Sequence, residues 1–238
     1  MESELNNEKE VELFELFPKV VAKYNYDQEK HQEIVQICEN IRKEIGTDHP
    51  EYSSNSMDPQ LKHYYNQSTS SLLYERPELE EFRKWCCDCA KHFMTKVLDY
   101  IIEEDNEILV TDSWLNWCSV ERANQVRHNH HNCIVSGTYY VHRQEWVHAG
   151  IEFYRPNIEL HPVMAQKRHV NDNSNKYTTY LETLYPSSGN LILWSSELLH
   201  GYNGLTNFWD GRTSLSMNFL PHIIDNGKYS FTVKKYGE

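Results

Sequence analysis

The sequence predicts a mainly β domain of the α+β class, with N-terminal helices packed over one sheet. Apolar residues recur every three to four positions up to about residue 100, then at every second position from about residue 107. Helical runs come first and strand runs follow, so the strands are expected to be antiparallel rather than joined as βαβ units. The 238 residues, 39% hydrophobic and 13% aromatic, supply one well-packed core and too little chain for two comfortable ones. We therefore expect a single domain over 1–238. It divides into a helical part (1–105), a β core (106–222) and a C-terminal hairpin or tail (223–238).

The acidic opening "MESELNNEKEVE" reads as a solvated tail. "LFPKVVAKY" reads as a short opening strand. In "DQEKHQEIVQICENIRKEI", Ile34, Ile37, Cys38, Ile41 and Ile45 share one helical stripe, and Asp27 is placed to cap it. Residues 47–76 are polar, rich in Ser, Asn and Tyr, and read as irregular chain over the surface or over a site. A longer helix begins near Pro77, a residue suited to a first helical turn. Its stripe is Leu79, Phe82, Cys86, Cys89, Phe93, Val97 and Ile101. Both helices read as packing elements.

From residue 107 the strand-like runs are "EILVTDSWLNWCSVE", "CIVSGTYYVHR", "AGIEFYR", "NLILWSSELLH" and "RTSLSMNFLP". The tail "IIDNGKYSFTV" carries an Asn-Gly pair between apolar runs, a hairpin signal. Residues 156–186 form a long polar stretch, expected to be a lid or substrate loop.

Composition excludes several classes. The net charge is −12 and no run of Lys or Arg provides a basic face, so nucleic acid is not an expected partner. No stretch approaches the ~20 apolar residues of a membrane span. The six cysteines are Cys38, Cys86, Cys87, Cys89, Cys118 and Cys133. Their spacing does not suit a disulfide framework, and the N-terminus lacks a signal-peptide pattern, so reduced thiols in a cytoplasm are expected. A zinc site at Cys86 and Cys89 lacks a second ligand pair.

The chemistry-bearing stretch is "VRHNHHNCIVSGTYYV". In a strand, residues i and i+2 point to one side, so His128 and His130 share a face and His131 points away. A histidine-rich surface loop is the plainer reading of that stretch taken alone. Downstream, "GNLILWSSELLHGYNG" brings an apolar strand, a short turn and then His200, with Arg212 twelve residues further on. Arg212, Ser214, Ser216 and Asn218 line one side of their strand, and Thr213, Leu215, Met217 and Phe219 the other. Ser136, Thr138 and Tyr140 likewise oppose Val135, Gly137, Tyr139 and Val141. Polar faces opposite apolar ones suit a barrel or sandwich with a polar cavity, its apolar outside covered by the helices. A simple sheet with one solvated face would show the same alternation.

H-x-H, "SGTYYV", "GNLILWSSELLH" and R-x-S, in that order, resemble the iron(II)/2-oxoglutarate-dependent oxygenases. The resemblance is strongest to a group from marine bacteria and phages carrying H-x-H-x5-S-G-x-Y-Y, whose opening "LFPKVV" also resembles. It covers roughly residues 107–220 and implies a double-stranded β-helix, or jelly roll. It also implies Fe(2+) in a mouth of the fold, 2-oxoglutarate as co-substrate, O2, and hydroxylation of a further substrate with release of succinate and CO2. Carried over by position, His128 and His200 match the two ligating histidines. Arg212 and Ser214 match the R-x-S that grips the far carboxylate, Tyr140 a tyrosine that donates to it, and Asn116 a residue at the other end of the co-substrate.

His130 departs from the pattern, since most of that superfamily has a carboxylate there. A triad of His128, His130 and His200 is the expected metal set, with Glu152 or Asp210 as other sources of an oxygen ligand. Two other functions suit the same residues. One is a three-histidine iron oxygenase of cupin type that does not use 2-oxoglutarate; the other is a non-catalytic metal- or ligand-binding jelly roll. Trp114, Trp117, Tyr139, Trp146 and Trp209 are expected mostly in core packing, and His142, His148, His161 and His169 in solvated loops.

Overall fold

A computed structural model describes residues 19–45, 52–55, 58–64, 71–118, 125–155, 179–202, 211–234 and 237. In chain order the elements begin with β1 (Val21–Asn25), α1 (Gln28–Ile45), β2 (Tyr52–Asn55), β3 (Asp58–Tyr64) and α2 (Leu72–Glu75). A 3₁₀ turn (Pro77–Leu79), α3 (Glu80–His92) and a π turn (Phe93–Val97) follow. The β core then runs through β4 (Ile108–Cys118), β5 (Gln125–His128), β6 (Val135–His142), β7 (Ile151–Tyr154), β8 (Leu181–Leu184), β9 (Asn190–Ser195), β10 (His200–Tyr202) and β11 (Thr213–Pro221). A hairpin of β12 (Ile223–Asp225) and β13 (Ser230–Thr232) closes the chain.

The strands are antiparallel, as the order of periods predicts. Among the described residues, a large sheet has the order β1-β9-β6-β11-β4-β3-β2 and a small one the order β5-β10-β7-β8. The two sheets face each other across a pocket lined by residues of both, in a jelly-roll arrangement. β11 sits at the centre of the large sheet, between β4 and β6.

Alternation along these strands decides what each face does. Leu115 and Trp117 of β4, Val135, Tyr139 and Val141 of β6, Leu191 and Leu193 of β9, and Leu215, Met217 and Phe219 of β11 turn toward the helices and are buried. There they meet Ile34, Cys38 and Ile41 of α1 and Phe82, Cys86, Ala90 and Phe93 of the α3 region. Removing this much aliphatic and aromatic surface from water is the main force holding the helices to the sheet. The opposite faces carry hydroxyls and amides, and they line the pocket.

Three expectations change. Residues 47–76 are not wholly irregular, because β2 and β3 pair with each other and β3 pairs with β4. The N-terminal part therefore contributes β1, β2 and β3 to the large sheet as well as its helices. An open sheet edge offers backbone partners that no apolar pattern reports. The second stripe also ends early. The π turn closes at Val97, Asp99 takes a φ of +56°, and Ile101 is 94% exposed. Finally, His148 is not a solvated loop residue: it is buried, and its Nδ1 accepts from the Gln144 N–H at 3.0 Å. Residues 1–18, most of the 156–186 loop, and His161, His169, Trp209 and Asp210 lie outside the described residues.

All six cysteine thiols are free. Burial holds Cys86 well above the usual thiol range and pushes Cys89 up to about 12, so both act as apolar packing. No helix among the described residues is long and apolar enough to cross a membrane.

Helix α1 starts where its cap predicts. Asp27 Oδ1 accepts from the N–H groups of Glu29 at 2.9 Å and Lys30 at 3.0 Å, satisfying two donors that have no partner within the helix. Asp27→Ala is expected to cost about 1 kcal/mol, read as a lower midpoint in urea unfolding.

One turn further on, His31 is buried, with its Nδ1 2.7 Å from the Tyr139 hydroxyl. Burial lowers its pKa below the usual 6.5. Below pH 6.5 the unfolded chain takes up a proton that the folded chain does not, so stability falls as pH drops through that range. His31→Asn is expected to lose less stability between pH 7.5 and 5.5 than the parent, measured by urea unfolding at both values.

Candidate metal centre

Two strand ends meet at the mouth between the sheets. β5 ends on His128, β10 begins on His200, and the two residues are direct cross-strand partners. β10 fits between its neighbours because residue 201 is glycine. A Cβ there would stand 2.7 Å from the Gln125 carbonyl oxygen.

His130 lies beyond the end of β5, so strand alternation does not deliver it. Its backbone N–H donates to the Ser196 carbonyl at 2.9 Å, Ser196 Oγ donates to the Cys133 carbonyl at 2.6 Å, and Asn129 Nδ2 donates to the Glu197 carbonyl at 3.3 Å. These bonds fold the loop back over the turn after β9 and turn His130 inward. The ring centroids are 4.4 Å apart for His128 and His200, 5.1 Å for His128 and His130, and 5.2 Å for His130 and His200. One ring nitrogen from each lies within 4.8 Å of the others. His131 is exposed and outside this group. Glu152, on β7, is outside it too: its carboxylate accepts from the Tyr154 hydroxyl at 2.6 Å.

The backbone fixes two tautomers. His128 Nδ1 is 2.8 Å from the Val126 carbonyl, and His200 Nδ1 is 3.0 Å from the Leu198 carbonyl. A carbonyl can only accept, so each Nδ1 carries a proton and each Nε2 is the ring nitrogen left to ligate. Burial, and then the neighbouring His128, lower His130 to about 4 and His200 to about 3. Both rings are therefore neutral near pH 7, the form that ligates a metal. Converging imidazoles, two of them oriented by a second hydrogen bond, fit a divalent transition ion.

Behind this cluster lies a floor made of β4, β11 and β6. The register sets it out in three cross-strand rows: Asn116–Ser214–Tyr140, Trp114–Ser216–Thr138 and Asp112–Asn218–Ser136. Asn116 Nδ2 donates to Ser216 Oγ at 3.0 Å, and Thr138 Oγ1 lies 3.2 Å from the same hydroxyl. The first row ends against Arg212. That guanidinium is 4.2 Å from the Tyr202 ring centre and 5.3 Å from that of Tyr140. Arg212 Nε donates to the Ala149 carbonyl at 3.3 Å. Arg212 is only 3% exposed, and among the described residues no carboxylate pairs with it. A buried unpaired charge costs several kcal/mol, a cost that an anionic ligand would offset. Tyr140 is wholly buried, and burial raises its pKa, so its phenol stays protonated and able to donate.

Residues 112–218 match the family model described as "Putative 2OG-Fe(II) oxygenase". That segment, a little under half of the chain, is similar to the 2OG-Fe(II) oxygenases. It contains the three histidines, Arg212 and all three rows of the floor. No curated protein matches the chain. Among solved structures, the chain is similar to a prolyl-4-hydroxylase from Pseudomonas putida, with a TM-score of 0.54 and 11% identity over 84% of this chain and 92% of that one. It is also similar to HygX from Streptomyces hygroscopicus, solved with nickel, 2-oxoglutarate and hygromycin B. There the TM-score is 0.53, with 10% identity over 85% and 83% of the two chains. The epimerase SnoN, solved with Fe3+, alpha ketoglutarate and nogalamycin RO, aligns at a TM-score of 0.58 and 6% identity over 92% and 90%. At these identities the likeness concerns the fold alone.

His128, His130, His200, Arg212, Ser214, Tyr140 and Asn116 all line one pocket, whereas Glu152 does not. Sequence reasoning missed Tyr202 and Trp194. Tyr202 follows His200 by two on the same strand, a signal that alternation could have supplied. Trp194 packs 4.6 Å from the His200 ring, and nothing in its sequence context separates it from an ordinary core tryptophan. Of the aromatic residues considered, Trp114 lines the pocket, Trp117 and Tyr139 lie in the core, and Trp146 is 86% exposed.

Proposed function

We propose that this chain, as one domain with its catalytic core over 106–222, is an iron(II)- and 2-oxoglutarate-dependent dioxygenase that hydroxylates a further substrate. The observation that carries this reading is the pairing, within one pocket, of three converging histidines with a buried guanidinium that has no carboxylate partner among the described residues. In this reading His128, His130 and His200 hold Fe(2+), and Arg212 receives the far carboxylate of 2-oxoglutarate. A guanidinium fork suits that task, because two parallel N–H bonds fix both the position and the direction of a carboxylate. Tyr140 and Ser214 add donors to the same end, and Asn116 touches the other end of the co-substrate.

Iron supplies the O2 activation that couples oxidation of 2-oxoglutarate to that of the substrate. One oxygen atom ends in succinate and the other in the hydroxylated product, with CO2 released. The chain's own part is orientation and exclusion of water. Tyr202 and Tyr140 wall the Arg212 end, and Trp194 shields His200.

One observation favours a second reading: the third ligand position holds His130 instead of a carboxylate. Three-histidine iron sites can oxidise a bound substrate without 2-oxoglutarate, in which case Arg212 would hold a carboxylate of the substrate itself. Incubation with Fe(2+), O2 and 2-oxoglutarate separates the two. Succinate formed in step with 2-oxoglutarate consumption supports the first reading. Oxygen consumption without succinate supports the second.

A further inference from the structure

The geometry points to a cationic substrate, an amine or a guanidinium, held by Asp112 at the open end of the pocket. This rests on the dioxygenase reading and adds the substrate's chemical class to it. The three floor rows run in order from Arg212 outward. The first row is closed off, since Arg212, Tyr140 and Tyr202 are all buried. The second reaches the metal cluster, where the Trp114 and His130 ring centres are 5.9 Å apart. The third row, Asp112–Asn218–Ser136, lies past the histidines at the end where His131 and Asn132 are exposed. With 2-oxoglutarate filling the Arg212 end, a substrate enters over this third row.

Arg212 closes the inner end of the floor, and Asp112 stands just outside the outer lining, paired with the lining residue Asn218. Asp112 is held rather than free to swing. Its Oδ2 accepts from Asn132 Nδ2 at 2.9 Å, from Thr111 Oγ1 at 3.1 Å and from Asn218 Nδ2 at 3.3 Å. Asn218 is itself fixed, because its Oδ1 accepts from Ser136 Oγ at 3.0 Å. Among the described residues none donates to Asp112 Oδ1, so one carboxylate oxygen is left for a ligand. A carboxylate pinned through one oxygen and open at the other is pre-organised for a charged donor, which binds without further ordering cost. The net charge of −12 adds long-range attraction for a cation and repulsion for an anion.

Calorimetric titrations of nickel-loaded protein test this. 2-Oxoglutarate is added first, and its failure to bind overturns the dioxygenase reading. Agmatine and acetyl-arginine amide are then titrated with and without 2-oxoglutarate, beside neutral 1,5-pentanediol and anionic glutarate. The two cations are expected to bind and the other two probes not to bind at this end. Preference for acetyl-arginine amide assigns a peptide side chain, and preference for agmatine a free small molecule. Asp112→Asn should weaken the cation at least tenfold, the scale of losing one charged hydrogen bond, whereas Asp112→Glu should retain the preference. If Asp112→Asn does not fold, Asn132→Ala, which loosens the carboxylate from the protein surface, should weaken the same cation. No cation binding to the parent, or equal binding to parent and Asp112→Asn, overturns the inference.

Discussion

His200→Ala and His128→Ala are each expected to abolish metal retention and, with it, 2-oxoglutarate turnover, while His131→Ala keeps both. His128 and His200 face each other across β5 and β10, and backbone carbonyls hold both rings with Nε2 free. Loss of a partner that only orients a ligand costs about 10–100-fold in metal affinity, so loss of a ligand itself should cost more. His130→Ala should also weaken the metal, because that ring supplies the third nitrogen within 4.8 Å. His130→Asp restores a two-histidine, one-carboxylate set and should retain iron to the extent that its shorter side chain reaches. The loop is clamped by the backbone of residue 130 through Ser196, so the substitution leaves its path in place. Metal content after purification, with succinate formation, reads all five variants. A His130→Ala protein that holds iron as tightly as the parent would place the third ligand elsewhere.

Arg212→Ala is expected to weaken 2-oxoglutarate by about ten- to over a hundredfold while leaving iron binding nearly intact. The loss is that of a charged hydrogen-bond partner, roughly 1.5–3 kcal/mol. Arg212→Lys should fall between the two, since it keeps the charge and loses the fork. The apo protein should not suffer in proportion, because Arg212 is buried without a carboxylate partner among the described residues and removing it relieves a desolvation cost. Titration of 2-oxoglutarate and a melting curve check the two halves. Unchanged co-substrate affinity would remove Arg212 from the site.

The sequence alone determined what depends on neighbours along the chain. The change of period near residue 107 separated helices from strands. Asp27 marked the start of α1, and Asn226-Gly227 marked the last hairpin, in which Gly227 adopts a φ of +82°. Alternation in "RTSLSMNFLP" and "SGTYYV" assigned pocket and core faces that the structure keeps. These features are legible because side-chain direction is a local property, fixed by the backbone within two to four residues. The positions His128, His200 and Arg212 were legible for the same reason: each sits at a strand end whose chemistry is unusual.

Tertiary structure decided what depends on distant partners. β2 and β3 exist because β4 leaves an edge to pair with, and their own sequence carries little strand pattern. His130 reaches the cluster through a clamp on Ser196, sixty-six residues away, although strand alternation was the argument that first placed it beside His128. The roles of Tyr202 against Arg212, of Trp194 against His200 and of the pinned Asp112 likewise rest on which strands become neighbours. Local periodicity says which way a side chain points. Only the pairing of the strands, driven by burial of the sheet's apolar face under two helices, says what it points at.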